Sequence, residues 1–186
     1  MKKIILLTLI TFFVFDVNSQ RRRNNQSTNT QQKESKLSLS ALKLRNVGPA
    51  FLSGRIADIA IHPENNNVWY VATGSSGVWK TENSGTTYTP IFDNESTYTT
   101  GCITIDPNDP SIIWLGTGEN VGGRHVGIGH GVYVSENGGK SWKSMGLKSS
   151  EHISKIIVSP KDPNIVFVAS QGPLWSSGGD RGLFRS

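Results

Sequence analysis

The sequence predicts an all-β chain: a β-propeller of four-stranded antiparallel blades, with about three blades present and the ring incomplete. Two observations predict it. The first is an internal repeat. Ile61-His62-Pro63 recurs as Ile105-Asp106-Pro107 and again as Val158-Ser159-Pro160. Val68 to Thr73 recurs as Ile112 to Thr117 and again as Ile165 to Ser170. Pro63 to Pro107 spans 44 positions, as does Thr73 to Thr117, and both second intervals span 53. A period near this length with several strands in each unit is the mark of propeller blades. The second observation is local. The runs inside each repeat are short, rich in Val, Ile, Trp and Tyr, and bounded by Gly, Pro, Asn and Asp, which is strand chemistry. No sustained helical period interrupts them.

The elements follow in order. The first strand of each blade is expected at 55–61, 101–105 and 153–158. The second is expected at 68–73, 112–117 and 165–170, and the third at 77–81, 131–135 and 182–186. The fourth is expected near 86–91 and 141–145. Leu37 to Lys43 suits a brief helical turn or an edge strand leading into the first blade.

Between the third and fourth strands stands the most specific motif. It runs from Thr81 to Tyr88 and returns from Ser135 to Trp142, with the pattern S/T-x-D/N-x-G-x-S/T-aromatic known as an Asp box. Thr81 and Ser135 open it. Asn83 and Asn137 can bond amides of their own turn, and Gly85 and Gly139 can take the positive φ it needs. Tyr88 and Trp142 are expected to start the outer strand and pack into the blade. The motif is a clasp and implies no chemistry. Ser186 aligns with the opening residue of a third box, so the chain reads as part of a longer propeller.

The ends of the chain differ in kind. Met1-Lys2-Lys3, the apolar run Ile4 to Phe15 and the modest residues to Ser19 read as a signal peptide over 1–19. That apolar run is short for a membrane span, and no later segment approaches one. Residues 20–36 contain no apolar side chain and read as a disordered basic arm. The chain's formal charge of +5 sits wholly within residues 1–36. Residues 37–186, the propeller portion, are balanced, which argues against nucleic-acid binding. The expected location is outside the cytoplasm: periplasmic, cell-surface or secreted. Cys102 is the only cysteine and lies in an apolar run, so it reads as a small buried hydrophobe. No cofactor is implied.

Length was added at one kind of loop. Strands alternate in direction, so connections sort to two rims. The turns between first and second strands share a rim with the Asp boxes. The connections between second and third strands lie on the other. There the second blade carries an extension from Glu119 to His130, and the third a similar one from Gln171 to Arg181. Long loops gathered on a scaffold are where binding concentrates. The candidate ligand contacts are Arg55, Glu119, Arg124, His125, His130, Trp175, Asp180 and Arg181. Each has a plain alternative: Glu119 or Asp180 can pair with an Arg across blades, and Trp175 can pack its own loop. His125 and His130 lack a third ligand, so no metal is expected. Glu119 and Asp180 are the candidates for a catalytic pair, since glycoside hydrolysis needs two carboxylates.

The Asp boxes, Gly54 to Ala60, Gly77 to Thr81, Gly101 to Pro107, Gly116 to Asn120 and Gly172 to Ser176 together resemble the N-terminal propeller of bacterial sortilin-like, xyloglucanase-like proteins with BNR repeats. The resemblance covers about residues 45–186. It implies a large exported protein whose propeller binds peptides or glycans. Xyloglucanases of this kind carry a catalytic Asp in a T-D-x-G-G run after the second strand of the first blade. The matching run here is Thr73-Gly74-Ser75-Ser76-Gly77, with Gly74 in place of the acid. The expected function is therefore a noncatalytic propeller module binding a peptide or polysaccharide. The alternative is a hydrolase acting on xyloglucan-type β-glucans.

Overall fold

The structure, a computed structural model, describes residues 54–123 and 125–186. The expected signal peptide, the basic arm, Leu37–Lys43 and Arg124 lie outside the described residues. Eleven strands are present among the described residues, and all pair antiparallel. Blade 1 is β1 (Ile56–Ile61), β2 (Trp69–Thr73), β3 (Val78–Thr81) and β4 (Thr89–Pro90). Blade 2 is β5 (Thr100–Ile105), β6 (Ile113–Thr117), β7 (Val132–Ser135) and β8 (Lys143–Gly146). Blade 3 is β9 (Ile153–Val158), β10 (Val166–Ser170) and β11 (Gly182–Arg185). Within each blade the strands are ordered as in the chain. The fold is a partial β-propeller, as the repeats predict.

The fourth strands are shorter than expected. In blade 1, β4 is two residues long. Tyr88 departs from its expected role. It lies outside β4 and is 43% exposed. Trp142 does pack inward: its ring meets Phe92 edge-on at 5.3 Å and its Nε1–H donates to the Ile91 carbonyl at 2.7 Å.

A register shift recurs at the same point of all three blades. It falls between Ile56 and Asp58, between Thr100 and Cys102, and opposite Ala169 and Ser170 on the β9–β10 ladder. The bulge resets the two-residue alternation of side chains. Ile153, Ile156 and Val158 consequently share one face although the first two are three positions apart, and that face is buried against blade 2. Ile56, Ile59 and Ile61 are their repeat equivalents in blade 1 and are exposed. Ile56 and Ile59 line an apolar groove of about 440 Å³ with Trp69, Val71 and Trp79.

Two cores lie between successive blades. Tyr70, Ala72 and Val78 of blade 1 meet Ile103, Ile113 and Leu115 of blade 2. Cys102 and Val132 of blade 2 meet Ile153, Ile156 and Val158 of blade 3. Burying a side chain of this size contributes about 1.5–3 kcal/mol, so blade stacking is the main apolar adhesive. Gly116 marks how closely blades 2 and 3 approach: an added Cβ there would lie 2.8 Å from the Cβ of Ile153.

Candidate functional site

The two turns of the repeated motif close in the same way. Thr81 Oγ1 accepts from the Gly85 N–H at 2.9 Å, and Asn83 Oδ1 accepts from the Thr87 N–H at 2.8 Å. Ser135 Oγ accepts from Gly139 and Asn137 Oδ1 from Ser141, each at 2.9 Å. Gly85 and Gly139 have φ of 85° and 88°. These side chains are spent on their own backbone, which leaves them structural.

The opposite rim carries a cavity of about 310 Å³ between blades 1 and 2. Its walls include Arg55, Gly74, Tyr98, Thr99, Glu119 and His125. Arg55 enters β1, and Gly74 follows β2. The two are joined by a Gly74 N–H to Arg55 C=O bond at 2.8 Å. Glu119 arrives from blade 2, two residues after β6. Arg55 Nε donates to Glu119 Oε1 at 2.8 Å, and Nη2 donates to the same oxygen. The carboxylate is 8% exposed and the guanidinium side chain 61%. Glu119 is therefore the fixed partner, and Arg55 turns its remaining donors toward solvent. A buried carboxylate without such a partner would be costly.

Glu119 has further bonds. Its Oε2 accepts from the Gly127 N–H at 3.3 Å, and its own N–H donates to the Gly127 carbonyl at 3.0 Å. Its carbonyl accepts from Nδ1 of the buried His152 at 2.8 Å, which fixes that ring's tautomer. One residue thus ties blade 1, its own loop and the entry to blade 3. Gly118 beside it has φ 82°, and its N–H donates to Thr99 C=O at 3.0 Å. Glu151, with the rare positive φ of 65°, turns its carbonyl onto the Gly129 N–H at 2.8 Å.

The other predicted residues divide. His125 is exposed on the cavity wall. His130 is exposed and shares a 3.1 Å hydrogen bond with Ser96 Oγ. Trp175 does not pack its loop: it is 79% exposed. The loop beneath it is braced instead. Arg181 Nη2 donates to the Pro173 carbonyl and, at 3.3 Å, to that of Ser176. Asp180 Oδ2 accepts from the Ser149 N–H at 3.2 Å, and its carbonyl accepts from Ser170 Oγ. Asp180 and Arg181 therefore shape the loop that holds Trp175 outward. Among the described residues no cluster of three His, Cys, Asp or Glu is placed to hold a metal ion. Cys102 is no nucleophile, because burial, and then the charge of Asp58, push its thiol up to about 12.

Sequence reasoning missed Tyr98 and His152 as site residues, and read Gly74 only as the place of a missing acid. Tyr98 is 67% exposed at the cavity mouth, and a lone Tyr between threonines gives no pattern to find it by. His152 sits one residue before β9 and is visible only through what it holds.

No known family profile matches the chain, and no curated protein matches it in sequence. Solved structures do. An ancestral GH74 enzyme is similar at a TM-score of 0.54 and 22% identity, over 71% of this chain and 17% of that one. The GH74 enzyme of Niastella koreensis is similar at 0.51 and 22%, over 68% of this chain and 19% of that one. The chain thus spans less than a fifth of the length of these two proteins. At this identity the likeness concerns the fold alone. Among the described residues, no helix is long and apolar enough to cross a membrane.

Proposed function

We propose that this chain is the ligand-binding portion of an exported, sortilin-like Asp-box propeller, and that it takes a peptide or glycan on the rim carrying the two long loops. The observation that carries this reading is the cavity floored by Glu119 and Arg55. It combines a charge pair already neutralised internally, free guanidinium donors, and an exposed aromatic ring at Tyr98. Such a mixture of a flat apolar surface with a few fixed polar groups suits a neutral, acceptor-rich ligand. Trp175, held out by a braced loop, offers a second aromatic surface. The test is a glycan array and a peptide pull-down with the full chain. Binding that falls at least tenfold in Tyr98→Ala and Arg55→Ala supports the reading; no binding to either library rejects it.

One observation favours hydrolysis as a second reading. The carboxylate of Glu119 lies against position 74, the place where the resemblance puts an acid in xyloglucanases. Reducing-sugar release from xyloglucan that vanishes in Glu119→Gln or Asp180→Asn would replace the binding reading with this one.

A further inference from the structure

Several of the close-packed glycines among the described residues have a positive φ that explains them. Gly74 does not: its φ lies outside the left-handed region, so its backbone would accept any L-residue. Its reason is spatial. A Cβ added at position 74 would lie 2.8 Å from Cδ and 3.1 Å from Cγ of Glu119, and closer still to Oε1. Nothing else approaches that Cβ as closely. The volume that a side chain at 74 would fill is occupied by the carboxylate of the next blade.

We infer that Gly74 is a positioning residue whose missing side chain decides which blade supplies the acid of this rim. With glycine at 74, Glu119 of blade 2 reaches across and seats on Arg55. With a side chain at 74, Glu119 is displaced and the Arg55 pair opens. Because Arg55 and Gly74 are bonded neighbours, an Asp at 74 places its own carboxylate within reach of the same guanidinium. Positions 74 and 119 therefore offer one seat to one acid. This deepens the proposed binding rim by naming what fixes its charge pair, and its test needs no ligand.

The experiment measures modification of Arg55 by phenylglyoxal in the full chain, read by mass spectrometry of the Arg55 peptide. The variants are Gly74→Ala, Glu119→Gly and the exchange Gly74→Asp/Glu119→Gly. Gly74→Ala and Glu119→Gly are expected to speed modification about three- to fivefold, as loss of a partly exposed pair implies. The exchange is expected to restore the wild-type rate, which a merely structural role for Gly74 would not produce. A wild-type rate in Gly74→Ala overturns the inference, as does an exchange variant no slower than Glu119→Gly. If Gly74→Ala fails to fold, adding Glu119→Gly is expected to restore folding by emptying the seat, and continued misfolding counts against the proposal. A chain that binds no glycan or peptide sinks the binding reading and leaves these rates unchanged.

Discussion

On one rim, Asn83 and Asn137 bond groups two to four positions away. On the other, Glu119 bonds Arg55 across 64 positions and His152 across 33. The first rim repeats its bonds almost atom for atom in two blades. The second has no internal copy: position 75, one repeat before Glu119, is serine. Local bonds can be duplicated with the repeat because all their partners travel together. Bonds between blades depend on what each neighbour presents, so that rim is where the blades differ and where a ligand finds a distinct surface.

The contrast can be broken most strongly at Gly118. Its φ of 82° and the Glu151 backbone packed against it leave no flexible side chain to yield. Gly118→Ala is expected to destabilise the chain by about 3 kcal/mol or more, measured by urea unfolding. On the clasp rim, Asn83→Ala and Asn137→Ala are each expected to cost about 1 kcal/mol. Their sum should hold in the double variant to within about 0.5 kcal/mol, because the two turns share no partner. The Arg55→Met and Glu119→Gln pair sharpens the comparison. Glu119→Gln should cost about 1 kcal/mol or less, since Arg55 is mostly exposed and its attraction is screened, and Arg55→Met should cost more, because it leaves the buried carboxylate without its cation. The double variant should be no worse than the more damaging single, so additivity here would remove the contrast between rims.

The smallest effect is acid dependence at the clasp. The hydrogen bond from Lys80, then its charge, holds the Glu82 carboxyl below its usual value. A depressed carboxylate contributes stability that is present above its ordinary pKa of 4.5 and lost as the pH falls through its lower folded value. Glu82 is largely exposed, so Glu82→Gln should flatten only slightly the decline of Tm below pH 4.5. A steep acid transition that disappears in this variant would contradict the expectation.

The clasp rim was legible from the chain because Thr81, Asn83, Gly85 and their counterparts lie close together in sequence and act on one another. The extensions on the other rim were legible as departures from the repeat period. Their bonding was not. Arg55 and Glu119 each stood out as charged residues near a rim, yet their meeting depends on the stacking of two blades and on space left at Gly74. In a run such as Gly74-Ser75-Ser76-Gly77, a glycine that makes room looks like one that merely turns. The fourth strands were read too long because Thr86 to Tyr88 have strand composition but are taken up in completing the turn.

The extension from Glu119 to His130 reads as a long loop, but chain statistics describe it differently. Thr117 and Gly131 close it from outside, with N–H to C=O at 3.0 Å and Oγ1 to the same carbonyl at 2.6 Å. Glu119 and Gly127 close it again from inside, and Asn120 is anchored by its side chain to Gly101 C=O at 2.9 Å. Closure entropy grows only with the logarithm of loop length, and here it is met twice during folding. Both legs of the extension are thus fixed before a ligand arrives. The entropic cost of binding at this rim is thereby reduced in advance, and the nested closure gives a long insertion the stiffness of a short turn.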